Sequence, residues 1–129
     1  MIEMNEPRLR AVLRIDAASG LLMGAPLALL PETLAPVLGL PAPLLLWAGI
    51  ALFPVAATML AAAATLARPL VVLIVWGNAA WVAASLATLF AFPATGIGGV
   101  VIVVQAFVVA LFAWLENAGW ARRAEGTAA

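Results

Sequence analysis

A handful of side chains in this otherwise apolar chain could hold or move a charge: Asp16, Arg14, Asn78, Trp81, Gln105 and Glu116. Asp16 is the sharpest of them. A carboxylate at the centre of a hydrocarbon layer costs about 2 to 3 kcal/mol on insertion scales, and less near an edge, so it requires a partner or water. If the apolar run around it begins near Ala11, a rise of about 1.5 Å per residue sets Asp16 roughly 8 Å inside the boundary. Arg14 is two positions away and points to another face, whereas Ser19 and Gly20 share the face of Asp16. The partner therefore belongs to a different helix, with Arg68 and Asn78 at comparable depth. Asp16 can act as a proton- or cation-exchanging carboxylate facing a cytoplasm-open cavity, or as a satisfied packing contact. Its shallow depth and the nearby arginines favour packing. Arg10 and Arg14, one turn apart, suit snorkelling to lipid phosphates.

Asn78, Trp81, Ser85 and Thr88 recur at helical spacing and form a polar stripe that must face protein. Gln105 lies at an estimated depth within about 6 Å of Asn78. The two are expected to meet across a helix interface in a hydrogen bond of about 0.6 kcal/mol, or to form a substrate-coordinating pair. The Trp81 indole N–H needs an acceptor if buried, either in a packed core or in a ligand pocket. Glu116 could join Asp16 in acid chemistry, yet neither has a nucleophile or metal partner in view. The chain has no Cys, His or Tyr, and its six basic residues are all Arg. Most acid–base, thiol, Schiff-base and metal chemistry near neutral pH is thereby removed, and neither an enzyme nor a metal or other cofactor is expected.

The elements that position these groups follow from composition and charge. Hydrophobic residues make up 67% of the 129 and charged residues 9%, with a mean hydropathy of +1.18. This is the membrane class, and one domain of 129 residues is accounted for by about 20 apolar residues per crossing. Four crossings are read over 8–30, 42–67, 70–92 and 96–118, with a frayed tail over 119–129. Arg8, Arg10, Arg14, Arg68, Arg122 and Arg123 then all fall on one side, which the positive-inside rule makes cytoplasmic together with both termini. The expected fold is all-α: a polytopic, antiparallel four-transmembrane-helix bundle in a bacterial inner membrane. Its first helix is retained rather than cleaved as a signal peptide, because Asp16 interrupts the apolar run and Leu29-Leu30-Pro31 is a poor cleavage context. Between the first two crossings lies a short outer interfacial segment: Pro31 at a first helical position, Glu32 in the first turn and Gly39 as a stop describe a short helical turn, while the proline density equally fits an irregular packed loop. No basic stripe supports nucleic-acid binding. The lipid bilayer, a second copy or another membrane protein are the expected partners.

Within the helices, Gly20 and Gly24 at GxxxG spacing, echoed by Ala57/Ala61 and Ala106/Ala110, predict close helix packing. Pro54 predicts a kink whose freed carbonyl Thr58 could help accommodate. Trp47, Trp114 and Trp120 suit interfaces, with Trp76 and Trp81 deeper. Asp16 stands fifteen residues before Pro31, as Asn78 does before Pro93, a faint echo of two helical hairpins that coincidence also explains.

Taken together, Arg14-x-Asp16, Ser19-Gly20, Leu38-Gly39-Leu40-Pro41, Gly77-Asn78-x-x-Trp81 and a helix from Gln105 to Glu116 resemble small four-helix bacterial inner-membrane proteins, broadly DoxX-like. That resemblance implies the bundle and no particular activity. A second likeness is to small multidrug resistance transporters, of similar length and with one membrane carboxylate in the first helix, a position taken here by Asp16. Those transporters use Glu and an embedded Tyr, which this chain lacks. The leading functional expectation is a structural or accessory membrane component, with a proton- or cation-coupled carrier using Asp16 as the alternative.

Overall fold

A computed structural model describes residues 6–128, with side chains as far as Arg122. Five helices follow one another: α1 (Glu6–Leu29), α2 (Pro31–Leu38), α3 (Ala42–Thr65), α4 (Arg68–Ala91) and α5 (Gly96–Ala128). No strand occurs among the described residues. α1, α3, α4 and the Gly96–Arg122 part of α5 are long and apolar enough to cross a membrane, compatible with a multi-pass integral membrane protein. The observed starts have a common cause. Pro31 opens α2, while Pro43 and Pro69 stand in the first turns of α3 and α4, where a missing N–H breaks no helical bond and the fixed φ favours helix. α3 stops at Thr65 rather than at 67, and α5 continues helically through the expected frayed tail to Ala128; Ala129 lies outside the described residues.

Helix ends are satisfied by specific donors. At the end of α3 the carbonyl of Ala62 accepts the Leu66 N–H at 2.8 Å, and those of Ala63 and Ala64 accept Arg10 Nη1 at 2.5 and 2.7 Å. Arg10 is thus a cross-helix cap on four-carbonyl ends that would otherwise lack donors, not a phosphate-snorkelling side chain. Leu66 itself is left-handed at φ 48°, a conformation disfavoured for a side chain, and its buried side chain joins the core. α2 ends on Gly39, left-handed at φ 70°, whose N–H bonds Ala35. Thr95 joins this end to α5: its N–H and hydroxyl donate to the carbonyls of Leu38 and Val37 at 3.0 and 2.7 Å, and its hydroxyl accepts the Gly98 N–H at 3.0 Å.

Each spanning helix touches two others, in the cyclic order α1, α3, α4, α5, with α1 packed chiefly on α3 and α4 chiefly on α5. One apolar cluster unites Leu9, Leu13 and Ala17 with Met59, Ala62, Ala63, Val71 and Ile74. A second, smaller one at the opposite end gathers Leu38, Leu40, Leu45 and Ile102. The tightest approach is between α1 and α3. A Cβ on Gly49 would stand 2.5 Å from the Ala28 nitrogen, and one on Gly24 3.0 Å from the Leu52 Cβ. Gly24 is therefore a packing residue, paired with Gly49, a residue the small-residue spacing did not single out. Gly20 is not: nothing lies within 4 Å of its would-be Cβ. Ala57 and Ala61 are exposed, as is Ala110, so of the alanine pairs only Ala106 is buried.

Two prolines sit inside spanning helices, Pro26 in α1 and Pro54 in α3. Pro54 withholds a donor from the Ile50 carbonyl. The Thr58 hydroxyl does not relieve that carbonyl; it donates to Pro54's own, at 2.8 Å.

Because a methyl group at Gly49 would have to displace backbone of α1, Gly49→Ala should destabilise the bundle by about 1 to 3 kcal/mol. Gly20→Ala, opening into free space, should stay within about 0.5 kcal/mol of the parent. Denaturant unfolding in detergent, followed by circular dichroism, reads both.

Candidate functional site

Between the two close-packed helix pairs lies a cavity of about 590 Å³, lined by residues of all four spanning helices. Its wall is mostly Val, Leu, Ile and Met, with polar groups at two levels. The gap exists because α1 and α4, and likewise α3 and α5, sit diagonally in the ring with no close approach of their backbones. Small residues widen it further, since Gly20 and Gly77 both line it and neither would meet an atom within 4 Å on gaining a Cβ.

The first polar level joins three helices. Asn78 of α4 donates from Nδ2 to Asp16 Oδ2 of α1 at 2.8 Å and to Glu116 Oε1 of α5 at 2.9 Å. Both hydrogens of one amide are thereby engaged, and two acceptors on the same side dictate which way the amide faces. Asp16 is 3% exposed, Asn78 5% and Glu116 0%. Glu116 Oε2 is enclosed and receives no hydrogen bond. The groups that act on each carboxyl are the other carboxyl and Asn78. Asp16 and Asn78 line the cavity, and Glu116 does not.

At the second level Gln105 is the hub. Its Oε1 accepts the Trp81 indole N–H at 2.8 Å, and its Nε2 donates to Ser85 Oγ at 2.8 Å and to the Ile102 carbonyl at 3.1 Å. Ser85 passes its own proton to the Trp81 carbonyl at 2.7 Å. This network ties α4 to α5 and holds the Trp81 ring against the cavity.

Sequence expectation and geometry agree on the polar stripe of α4 and on Asn78 as the partner of Asp16. They part elsewhere. Gln105 bonds Trp81 and Ser85 rather than Asn78, because Asn78 is held by the two carboxyls. Arg14 is exposed and stands apart from the cluster, since it lies on a different face of α1 from Asp16. Arg68, also exposed, is not the partner of Asp16. Of the two tryptophans expected deeper along the helix, Trp81 turns inward and Trp76 is 70% exposed on the outer face of α4; Trp120 packs against the core cluster. The pairing of Asp16 with Glu116 is the feature that spacing does not disclose: the residues are on different helices, and only their shared counterpart in α4 connects them. Among the described residues no group of three or more His, Cys, Asp or Glu gathers to hold a metal ion.

No family model, curated protein or solved structure matches the chain.

Chemically, the site offers acceptors. Asn78, Gln105, Ser85 and the indole N–H are already engaged within the protein, as is the Ser19 hydroxyl, which donates to the Asp16 carbonyl at 2.8 Å. The acidic group that borders the cavity is the Asp16 carboxyl, in an apolar surround that strengthens its attraction for a cation. Asn78→Leu would strip both carboxyls of their donor and should cost about 1 to 3 kcal/mol for each acceptor orphaned. Trp81→Phe, which removes one donor from a network that keeps its other bonds, should cost only about 0.6 kcal/mol. Thermal unfolding of the two variants in detergent measures the difference.

Proposed function

We propose that this chain is a small proton-coupled carrier of compact, largely apolar cations. It would span a bacterial inner membrane as four antiparallel helices, with α2 at the outer surface and both termini in the cytoplasm. The arginine distribution supports that orientation: Arg8, Arg10, Arg14, Arg68, Arg122 and Arg123 all belong to one side of such a bundle, and the other side has none. The observation that carries the activity is Asp16, a carboxyl in a spanning helix that borders a cavity of about 590 Å³ lined chiefly by aliphatic side chains. An ionisable group within a membrane-spanning segment and facing a cavity is the usual mark of an ion or proton pathway. The thin contacts between the α1/α3 and α4/α5 pairs give two bodies that can rock against each other, as alternating access requires.

A second reading keeps the chain as an accessory membrane component. It draws on the bonds from Asn78 to α1 and α5, which would serve equally to hold a scaffold together.

Flux separates the two. In liposomes with an imposed pH gradient, a panel of tetraalkylammonium and arylphosphonium cations should accumulate with the wild-type protein. Asp16→Asn, which keeps the shape and removes the charge, should reduce accumulation to background. Background flux for the whole panel with both proteins would overturn the carrier reading in favour of the accessory one.

A further inference from the structure

Glu116 has no part in the exchange assigned to Asp16. It is fully enclosed, lies outside the cavity lining, and keeps one carboxyl oxygen without a donor. Asp16, its neighbour, borders the cavity. The two carboxyl groups accept from one and the same amide nitrogen, at 2.8 and 2.9 Å, so they lie side by side, and ionised together they would offer each other only acceptors and like charge. Asn78 cannot help further, since its amide has two hydrogens and both are engaged.

The other helices supply no remedy. α3, from Ala42 to Thr65, has no titratable residue, and α4 has only Arg68, which is exposed at its start. On α1, Arg14 is exposed and Arg10 is bound to the carbonyls of Ala63 and Ala64; Glu6 and Arg8 stand two turns or more before Asp16 and are exposed, as is Arg122 on α5. Leu9 and Leu13, fully buried on the face of α1 that carries Asp16, seal the pair from that end. A single proton on Glu116 resolves the arrangement: the unpartnered oxygen becomes an O–H able to donate, with the Asp16 carboxyl held beside it on the same amide, and whenever Asp16 is ionised the pair carries one negative charge rather than two. Like-charged carboxyls in contact share a proton for this reason.

We infer that Glu116 is a permanently protonated positioning residue that donates a hydrogen bond to Asp16, leaving Asp16 as the single exchangeable carboxyl of the cavity. The inference rests on the carrier reading for what Asp16 exchanges, but the protonation of Glu116 does not. In the cycle it implies, the resting site holds a proton on each acid. An entering monovalent cation replaces the proton of Asp16 alone, that proton leaves to water, and Glu116–H stays to steady the Asp16 carboxylate. The exchange is one proton for one cation, and the charge of the site is the same before and after.

The test is infrared difference spectroscopy on the full chain in lipid, with glutamate side chains ¹³C-labelled, combined with counting protons released on addition of tetraphenylphosphonium. The expected result is a protonated-carboxyl stretch that shifts with the glutamate label, persists when the cation is added, and disappears in Glu116→Gln. Gln keeps a donor where the acid had one, so this variant should still release one proton per cation bound, whereas Asp16→Asn should release none. Absence of a label-sensitive protonated stretch in wild type, or two protons released per cation falling to one in Glu116→Gln, would overturn the inference. The labelled wild type answers the first point even if the variant does not fold. If tetraphenylphosphonium binds neither protein while the label-sensitive stretch is present, the carrier reading fails and the protonated Glu116 stands.

Discussion

One amide holds this structure's polar interior together. Asn78 reaches across a gap that no backbone contact closes, and fastens α4 to the diagonal helix α1 and to α5 with two hydrogen bonds. Other polar groups return to their own helix, as Thr58, Thr65, Ser85 and Thr88 do, or join a two-helix network, as Trp81 and Gln105 do. In an apolar solvent such bonds contribute modestly to stability, but they set rotation and depth, because a polar group turned outward has no water to meet. Asn78 thus defines which faces of α1, α4 and α5 look inward, and with them what the cavity displays.

The cavity follows from unequal packing. Gly24 and Gly49 bring α1 and α3 so close that a single added carbon would collide with backbone, and alanines 62 and 63 continue that contact. Gly20 and Gly77, with the same absence of a side chain, do the reverse and leave room. Glycine therefore has opposite effects within one bundle, decided by whether another helix is opposite. The outer ends are closed by different means: Arg10 and Leu66 finish α3 at one end, and Thr95 with Gly98 receives α2 at the other, where the Leu38 carbonyl approaches so closely that any side chain on Gly98 would overlap it.

Much of the site was legible in the residues and their spacing. Asp16 announces itself because a carboxylate is costly in hydrocarbon wherever it sits, and Asn78, Trp81 and Ser85 share a face at a period that depends only on helical geometry. The short helix after Pro31 was equally readable from proline, glutamate and glycine in order. Other features were not. Counting along the helix brings Gln105 near the level of Asn78, yet it bonds Trp81 and Ser85, since depth follows from one helix alone whereas azimuth depends on how two helices are rotated against each other. Gly20 and Gly24 look alike in sequence, and only the position of α3 distinguishes a contact from a cavity wall. Trp76 and Trp81 differ by five residues, yet one faces outward and the other inward.

What the amino-acid order determined alone is what depends on solvent and on single-helix geometry: four apolar spans, their approximate lengths, the proline-set starts and the residues too polar to face lipid. What only the tertiary structure decided is which of those polar residues meet. Asp16 and Glu116 are separated by most of the chain, and neither has a local signal that points to the other. They become a pair because the rotation of three helices aims them at one amide, and rotation is set by the sum of side-chain packing across every interface, a quantity that no stretch of sequence contains by itself.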